Sequence, residues 1–198
     1  MRTASSSEAE LGRLHDLMPA SGRMFVRLLS KPGQRQLIAA EFPRPWQRNR
    51  AVTLNLDLWQ QLSQPQRDLL MLRTVSWLLQ IQWFKPDVYQ GATVVGLLGT
   101  LIELSQGDLM GLVAAAGLTG LAGLQVWRLN RSDQREVDAD LGAIKVAIRR
   151  GYQEAAAAEH LLGAIEAQAL LEGQRSLTFI ELLRCQKLKT MTSARVTL

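Results

Sequence analysis

The pattern of hydrophobic and polar positions divides the chain into two polar flanks around one long apolar stretch. Residues 86–127 contain no Lys or Arg and consist mostly of Leu, Val, Ala, Gly and Thr. Two apolar runs, 88–102 and 109–127, are separated by Ser105-Gln106-Gly107-Asp108, whose residue types favour a turn. The pattern therefore predicts an apolar helical hairpin over residues 86–129.

The flank before the hairpin begins with two short helical patterns and two strand patterns. Ser7-x-x-Glu10 has the form of a capping box that opens a first helix, and residues 1–8 are expected to be largely disordered. A second short helix is expected near residues 23–30. The strand patterns cover residues 36–42 and 51–56, which together predict a small β hairpin.

Longer helices are predicted on both sides of the apolar stretch. Ser63-x-x-Gln66 is a capping box with Pro65 in the first turn, and the helix that it opens ends or kinks at Lys85-Pro86. After the hairpin, capping and periodicity predict helices over residues 133–150, 153–172 and 179–188, with a frayed tail at 189–198. The predicted fold class is mainly α with a small β hairpin, in a single domain of residues 1–198.

Charge distinguishes the hairpin from its flanks. Residues 1–85 carry 12 basic and 6 acidic side chains, and residues 128–198 carry 11 and 9, whereas residues 86–127 carry only three acids. Basic residues flank the apolar stretch on both sides (Lys85, Arg128, Arg131, Arg135). If the hairpin spans a bilayer, the positive-inside bias places both chain termini on the cytoplasmic side.

Two locations are open for the apolar hairpin. The run 109–127 has 19 residues without a formal charge, enough to cross about 30 Å of hydrocarbon, whereas the run 88–102 has 15. Glycines in both runs would allow close helix packing in lipid, and Trp83 and Trp127 lie near the predicted boundaries. We expect a membrane hairpin; the alternative is a cytoplasmic protein that buries the hairpin in a homo-oligomer.

The loop between the predicted strands has basic and aromatic character (Arg44, Trp46, Arg48, Arg50). One interpretation is an interaction surface for lipid headgroups or an acidic partner, with Trp46 at the interface. The other is a solvated loop with Trp46 folded onto the sheet. Nucleic acid is not an expected partner, because the basic residues are scattered and no nucleic-acid-binding module is recognisable.

The order of strands, helix, apolar hairpin and acidic helix resembles the core of the HtpX/Oma-type membrane zinc metallopeptidases. In that family one helix carries His-Glu-x-x-His and a later helix carries Glu-x-x-Ala-Asp, whose Glu is a zinc ligand. The second motif is matched by Glu136, Ala139 and Asp140, whereas Arg73 and Trp77 stand where the two histidines belong. The resemblance implies a degenerate, zincin-like core.

The missing motif argues against a metallopeptidase. A catalytic zinc site needs three protein ligands, and neither the guanidinium of Arg73 nor the indole of Trp77 offers a lone pair to a metal. We therefore expect no metal, no cofactor and no enzymatic activity. One hypothesis is that Arg73 replaces the metal beside Glu136 and Asp140. The alternative is that these carboxylates lie in the first turns of a helix and face water.

Several phrases also resemble a cyanobacterial protein family whose activity is not established: Pro19-Ala20-Ser21-Gly22-Arg23, Phe42-Pro43-Arg44-Pro45-Trp46, Pro65-Gln66-Arg67-Asp68-Leu69-Leu70, Phe84-Lys85-Pro86-Asp87-Val88-Tyr89-Gln90-Gly91 and Arg149-Arg150-Gly151-Tyr152. This resemblance implies a thylakoid or plasma membrane. The expected function is that of a non-catalytic pseudo-metallopeptidase, an adaptor or assembly factor that binds lipid and a membrane protein complex. The alternative is a soluble structural homo-oligomer.

Overall fold

The structure, a computed structural model, describes residues 2–44, 46–81, 88–107, 109–130 and 133–193. The chain forms two compact units. Residues up to Ile81 and from Asp133 onward fold together as one unit, which we call the globular unit. Residues 82–132 form the second, which we call the hairpin unit. The hairpin unit is thus inserted into the sequence of the globular unit.

Helices dominate both units, as the fold-class prediction stated. In chain order the elements are α1 (Arg2–Leu17), α2 (Ala20–Phe25), β1 (Val26–Ser30), β2 (Ile38–Ala40), β3 (Arg50–Leu54), α3 (Leu56–Trp59), α4 (Gln64–Gln80), α5 (Val88–Gln106), α6 (Leu109–Asn130), α7 (Asp133–Arg149), α8 (Glu154–Leu171) and α9 (Phe179–Ser193).

The sheet has three strands where the sequence predicted two. Its order is β1-β3-β2, with β1 parallel and β2 antiparallel to β3. The segment predicted as a helix over residues 23–30 instead contains the end of α2 and all of β1. Val26 is buried and Arg27 exposed, so β1 has the alternation of a half-buried strand, and pairing with β3 outweighs the short-range helical pattern.

Helix α4 lies at the centre of the globular unit. Its buried side chains include Leu69, Leu72, Val75 and Leu78, and it packs on both α7 and α8. The predicted capping box at its start is confirmed, because Oε1 of Gln66 accepts hydrogen bonds from the backbone N and the Oγ of Ser63 at 3.0 and 2.9 Å.

The ends of several helices differ from the sequence prediction. Helix α1 begins at Arg2, so Ser7 lies within the helix and helical backbone covers most of the segment expected to be disordered. Helix α9 continues to Ser193, beyond the predicted end at residue 188. The predicted end or kink at Lys85-Pro86 and the last residues of the tail, 194–198, lie outside the described residues.

The predicted apolar hairpin is present as α5 and α6, which pack against each other within the hairpin unit. Gly107 follows α5 with φ of +74°, a conformation that favours glycine. The two helices approach closely at Gly96, where an added Cβ would lie 2.3 Å from Oγ1 of Thr119. The expected role of glycines in packing therefore holds at Gly96, whereas Gly91 and Gly99 have no neighbour within 4 Å of that position.

Large apolar side chains are exposed along both helices of the hairpin unit: Val94, Val95, Leu97, Leu98, Leu101, Ile102, Leu104, Leu109, Met110, Val113, Leu118, Leu121, Leu124 and Trp127. The segment Leu109–Arg128 is long and apolar enough to cross a membrane, with a mean hydropathy of 1.7 and none of its apolar window buried. The apolar part of α5, Gly91–Gln106, is shorter.

Gly22 and Gly12 form a matched pair for testing the packing around α4. A Cβ on Gly22 would lie 2.8 Å from Cγ1 of Val75, whereas a Cβ on Gly12 would have no neighbour within 4 Å. We expect Gly22→Ala to lower the free energy of unfolding by about 1–3 kcal/mol through overpacking. Gly12→Ala should raise it by about 1 kcal/mol through helix propensity. Denaturant unfolding measures both, and equal effects would contradict the described packing.

Candidate functional site

A cluster of four charged side chains joins three helices in the globular unit. Helix α4 contributes Arg73, α7 contributes Glu136 and Asp140, and α9 contributes Arg184. Glu136 and Asp140 are four residues apart, so they share one face of α7. Arg73 forms an ion pair with Glu136, and Nη2 of Arg73 donates a hydrogen bond to Oε2 of Glu136.

Asp140 is the most deeply buried member of this four-charge cluster, with 2% of its surface exposed. Arg184 binds Asp140 in a bidentate manner, since Nε and Nη2 of Arg184 each donate a hydrogen bond of 2.8 Å to a different carboxylate oxygen. Nε of Arg73 lies 3.6 Å from Asp140, which is an ion pair beyond hydrogen-bond distance. That Nε is buried and has no hydrogen-bond partner. Asp140 therefore lies between two guanidinium groups.

The formal charges of the four-charge cluster cancel. Burial and, to a smaller extent, the nearby charge of Arg184 lower the pKa of Arg73 to about 9, although the charge of Asp140 opposes the change. Arg73 thus remains protonated at neutral pH. Two cations between two carboxylates offset the cost of burying each charge, as long as no partner is removed.

The four-charge cluster borders a cavity of about 240 Å³ between the sheet and the helices. Its lining includes Ile38 and Ala40 of β2, and Arg73, Trp77 and Glu136 on the helices. The ring of Trp77 packs edge-on against the ring of Phe42, with 6.1 Å between ring centroids. Of the four residues predicted from the degenerate motif, Arg73, Trp77 and Glu136 thus line one cavity. Asp140 is not part of that lining but forms ion pairs with Arg73 and Arg184, which are.

The chemistry of this arrangement is that of a clamp. Both carboxylates are engaged by guanidinium groups, which donate hydrogen bonds and cannot coordinate a metal. Within the described residues, no three His, Cys, Asp or Glu side chains are grouped so that they could hold a metal ion. His160 lies elsewhere, with its ring 6.5 Å from that of Tyr152. The cluster links α4, α7 and α9 to one another.

A second polar network, which the sequence analysis did not predict, links α1 to α4. Glu10 accepts hydrogen bonds from Arg13 at 2.9 Å, from Arg67 at 2.8 Å and from Nε1 of Trp59 at 3.2 Å. Asp68, which is buried, accepts one from Arg13 at 2.6 Å and one from the hydroxyl of Tyr152 at 2.7 Å. Arg67, Asp68 and Tyr152 belong to the sequence phrases that resemble a cyanobacterial family. That resemblance is the feature of the sequence that could have pointed to this network.

Only three of the four side chains predicted to form the interaction surface are exposed. Arg44 and Arg48 are exposed, and Trp46 is 77% exposed, so it does not fold onto the sheet. Arg50 is different. Its Nη2 donates to the carbonyl oxygen of Ile81 at 2.9 Å and its Nη1 to that of Leu78, so it caps the C-terminal end of α4. The assignment of Arg50 to a docking surface is therefore corrected.

The clamp can be tested by removing one charge at a time. We expect Asp140→Asn to lower the free energy of unfolding by about 3–5 kcal/mol, because it leaves buried Arg184 without its counter-charge. Glu136→Gln, at a carboxylate that is 28% exposed, should cost about 1.5 kcal/mol. Denaturant unfolding in mild detergent measures both. Similar losses for the two variants would show that Asp140 does not anchor the cluster.

The network around Glu10 predicts an acid-sensitive contribution to stability. Hydrogen bonding and the charges of Arg13 and Arg67 hold the pKa of Glu10 below its usual value. Because the pKa of Glu10 is lower in the folded state than in the unfolded state, ionisation of Glu10 stabilises the fold. This stabilisation is complete above the unfolded-state pKa of about 4.3, and it disappears as the pH falls through the folded-state pKa. Glu10→Gln should therefore lose less stability than the wild type between about pH 5 and 3. Glu8→Gln, exposed on the same helix, serves as the control.

Comparison with known proteins identifies the family of the chain and a relative whose name states its location in the cell. The chain is 29% identical over 154 residues, which is 76% of this chain and 72% of the relative, to a thylakoid membrane protein of Synechocystis sp. (strain ATCC 27184 / PCC 6803 / Kazusa). No solved structure matches the chain. The cyanobacterial resemblance is thereby supported, whereas none of these matches is a zinc metallopeptidase. Residues 12–152 match the family described as protein of unknown function DUF3318, and the chain therefore belongs to the DUF3318 family.

Proposed function

We propose that the chain is a membrane-anchored, non-catalytic binding protein whose hairpin unit inserts into the bilayer. The observation that carries this proposal is the exposure of large apolar side chains along both α5 and α6. A water-soluble surface rarely presents so large a continuous apolar area, whereas lipid-facing helices require it. The thylakoid location of the Synechocystis relative supports a cyanobacterial membrane, thylakoid or plasma, as the setting.

The connectivity of the globular unit limits the topology. Helix α4 precedes the hairpin and α7 follows it, yet the two helices pack together and share the four-charge cluster. Both ends of the hairpin must therefore lie on the same side of the membrane. The hairpin accordingly crosses twice or enters and returns, and the basic residues at its flanks favour the cytoplasmic side. Helix α5, with 19 residues, spans about 28 Å, which suits a short or re-entrant segment.

The absence of catalysis remains part of the proposal. The guanidinium of Arg73 occupies the position at which the metallopeptidase resemblance requires a histidine, and it pairs with Glu136. A fixed cation in place of a metal would preserve the packing of α4 against α7 without an activated water. On this basis we describe the protein as a pseudo-metallopeptidase that acts as an adaptor or assembly factor.

Exposed large apolar side chains on both sides of the turn between α8 and α9 support a surface for a protein partner. Leu170 is 79% exposed, Phe179 is 76% exposed, and Leu182 is 54% exposed one turn further along α9. Large aromatic and aliphatic side chains at this exposure are typical of protein–protein contacts. This surface, the α8–α9 surface, would bind the membrane protein or complex that the adaptor serves.

The competing function is a structural homo-oligomer that buries the hairpin between copies. It is favoured by one observation, the shortness of the apolar part of α5 compared with that of α6. Burial between copies would cover the same exposed side chains without requiring a full span of the bilayer. Membrane retention distinguishes the two functions.

Paired Leu→Lys substitutions test both the anchor and the adaptor surface. Leu118 and Leu121 are exposed near the middle of α6, where each lysine would cost about 2.5–3.5 kcal/mol in a bilayer centre. Leu170→Lys/Leu182→Lys changes the α8–α9 surface by the same charge. We expect alkaline carbonate to leave the wild type and this second variant in the membrane pellet. Leu118→Lys/Leu121→Lys should appear in the supernatant.

The same variants test the partner. In mild detergent, a membrane protein that co-purifies with the wild type should be lost from Leu170→Lys/Leu182→Lys, although that variant stays in the membrane. Release of the wild type by carbonate, together with a large oligomer on gel filtration, would reject insertion and favour the homo-oligomer.

A further inference from the structure

One end of the three-stranded sheet brings exposed cations and exposed apolar side chains together. Because Val26 of β1 pairs in parallel register with Arg50 of β3, the segments that lead into these two strands enter the sheet at the same end. Three apolar side chains there are well exposed: Met24 at 72%, Phe25 at 41% and Trp46 at 77%. Three exposed arginines accompany them, and we call the six residues the sheet-end surface: Arg23, Met24, Phe25, Arg44, Trp46 and Arg48.

Among the residues that the structure describes, no ion pair compensates the positive charge of the sheet-end surface. Residues 20–50 contain seven basic side chains and one acidic side chain, Glu41. In the described part of the chain, Arg23, Arg44 and Arg48 form no ion pair. By contrast, the arginines of the two buried networks are matched by carboxylates. The excess cations of the N-terminal flank are therefore available to an anionic partner.

The sheet-end surface is fixed beside the points where the chain leaves and re-enters the globular unit. Arg50, at this end of the sheet, holds the carbonyl of Ile81, the last residue before the hairpin unit. Arg135, two residues after the return at Asp133, donates a hydrogen bond to the carbonyl of Gln80. At the base of the loop, Phe42 packs against Trp77 in the last turns of α4.

We propose that the sheet-end surface binds the anionic headgroups of a lipid bilayer. The inference rests in part on the proposed insertion of the hairpin unit, because an inserted hairpin brings its exit and return points to the membrane surface. Tryptophan and phenylalanine favour the membrane–water interface, and arginines bind anionic headgroups. Three apolar side chains among three unpaired cations fit such an interface better than an acidic protein surface, which would leave the apolar groups unmatched.

A fluorophore at each end of the sheet tests the contact. Trp46→Cys places a thiol in the sheet-end surface, and Arg35→Cys places one at the opposite end of the sheet as a matched control. Cys185 is 4% exposed, so a polar, environment-sensitive dye reacts with the new thiol in the native protein. Each labelled protein is reconstituted into phosphatidylcholine vesicles with or without phosphatidylglycerol, and quenching by a headgroup-attached nitroxide lipid is measured.

We expect strong quenching at residue 46, increased by phosphatidylglycerol, and little at residue 35. Equal quenching at both positions, or none at residue 46 in either vesicle, would overturn the proposal. A label that is open to water in pure lipid vesicles but shielded in native membranes would assign the surface to an acidic protein instead, and would also overturn it.

Charge removal supplies a second, independent measurement. The double variant Arg44→Gln/Arg48→Gln is made in the Trp46→Cys background. Because each arginine contributes about 1 kcal/mol to headgroup binding, we expect the ratio of protein with a headgroup-bound sheet-end surface to protein without one to fall about 30-fold. Lys31→Gln/Arg35→Gln removes the same charge from the other end of the sheet and should leave the ratio unchanged. The proposal is wrong if the two double variants have equal effects.

These experiments distinguish failure of the proposed headgroup contact from failure of the proposed hairpin insertion. Protein that resists carbonate but shows no quenching at residue 46 rejects only the headgroup contact. Protein that carbonate releases, but whose label at residue 46 is quenched at neutral pH in phosphatidylglycerol vesicles, rejects the inserted hairpin and retains the headgroup contact.

Discussion

The packing of α4 against α7 is the constraint on which the rest of the structure depends. The two helices lie on opposite sides of the hairpin in sequence, yet they form one core. Gly142 of α7 allows this approach, since an added Cβ would lie 3.1 Å from Cβ of Ser76. Because this contact closes the globular unit, the chain leaves that unit after Ile81 and returns to it at Asp133 near the same end of α4, where Arg135 bonds the carbonyl of Gln80. That arrangement suits an appendage that enters a membrane and returns.

Two polar networks contact α4 at different positions along its length. Arg67 and Asp68, in the second turn, belong to the network that includes Glu10 of α1, whereas Arg73 belongs to the four-charge cluster with α7 and α9. Buried charges add little net stability compared with apolar side chains of the same shape, but they penalise alternative packings strongly because each leaves an unpaired charge. The networks would therefore favour one packing of these helices over its alternatives, while the apolar face of α4 lies in the hydrophobic core.

The surface of the chain contrasts sharply with this interior. Within the described residues, the charges of the two buried networks are paired, whereas Arg23, Arg44 and Arg48 at the sheet end form no ion pair. The apolar groups of the hairpin and of the α8–α9 turn are exposed. In the proposed membrane adaptor, lipid would cover the hairpin, anionic headgroups would bind the sheet-end surface and a protein would bind the α8–α9 surface.

The sequence by itself determined the features that depend on local chemistry. The apolar hairpin over residues 86–129, the capping box at Ser63 and the end of the helix predicted over residues 133–150, where Gly151 has φ of +94°, follow from composition and short-range hydrogen bonding. The spacing of Glu136 and Asp140 likewise determined that they share a helix face. Only the tertiary structure decided that residues 26–30 form a strand, because their pairing partner lies some 24 residues away at β3. It also decided the partners of Glu10 and Arg50, since a buried charge or a capping guanidinium is defined by distant segments that no local pattern specifies.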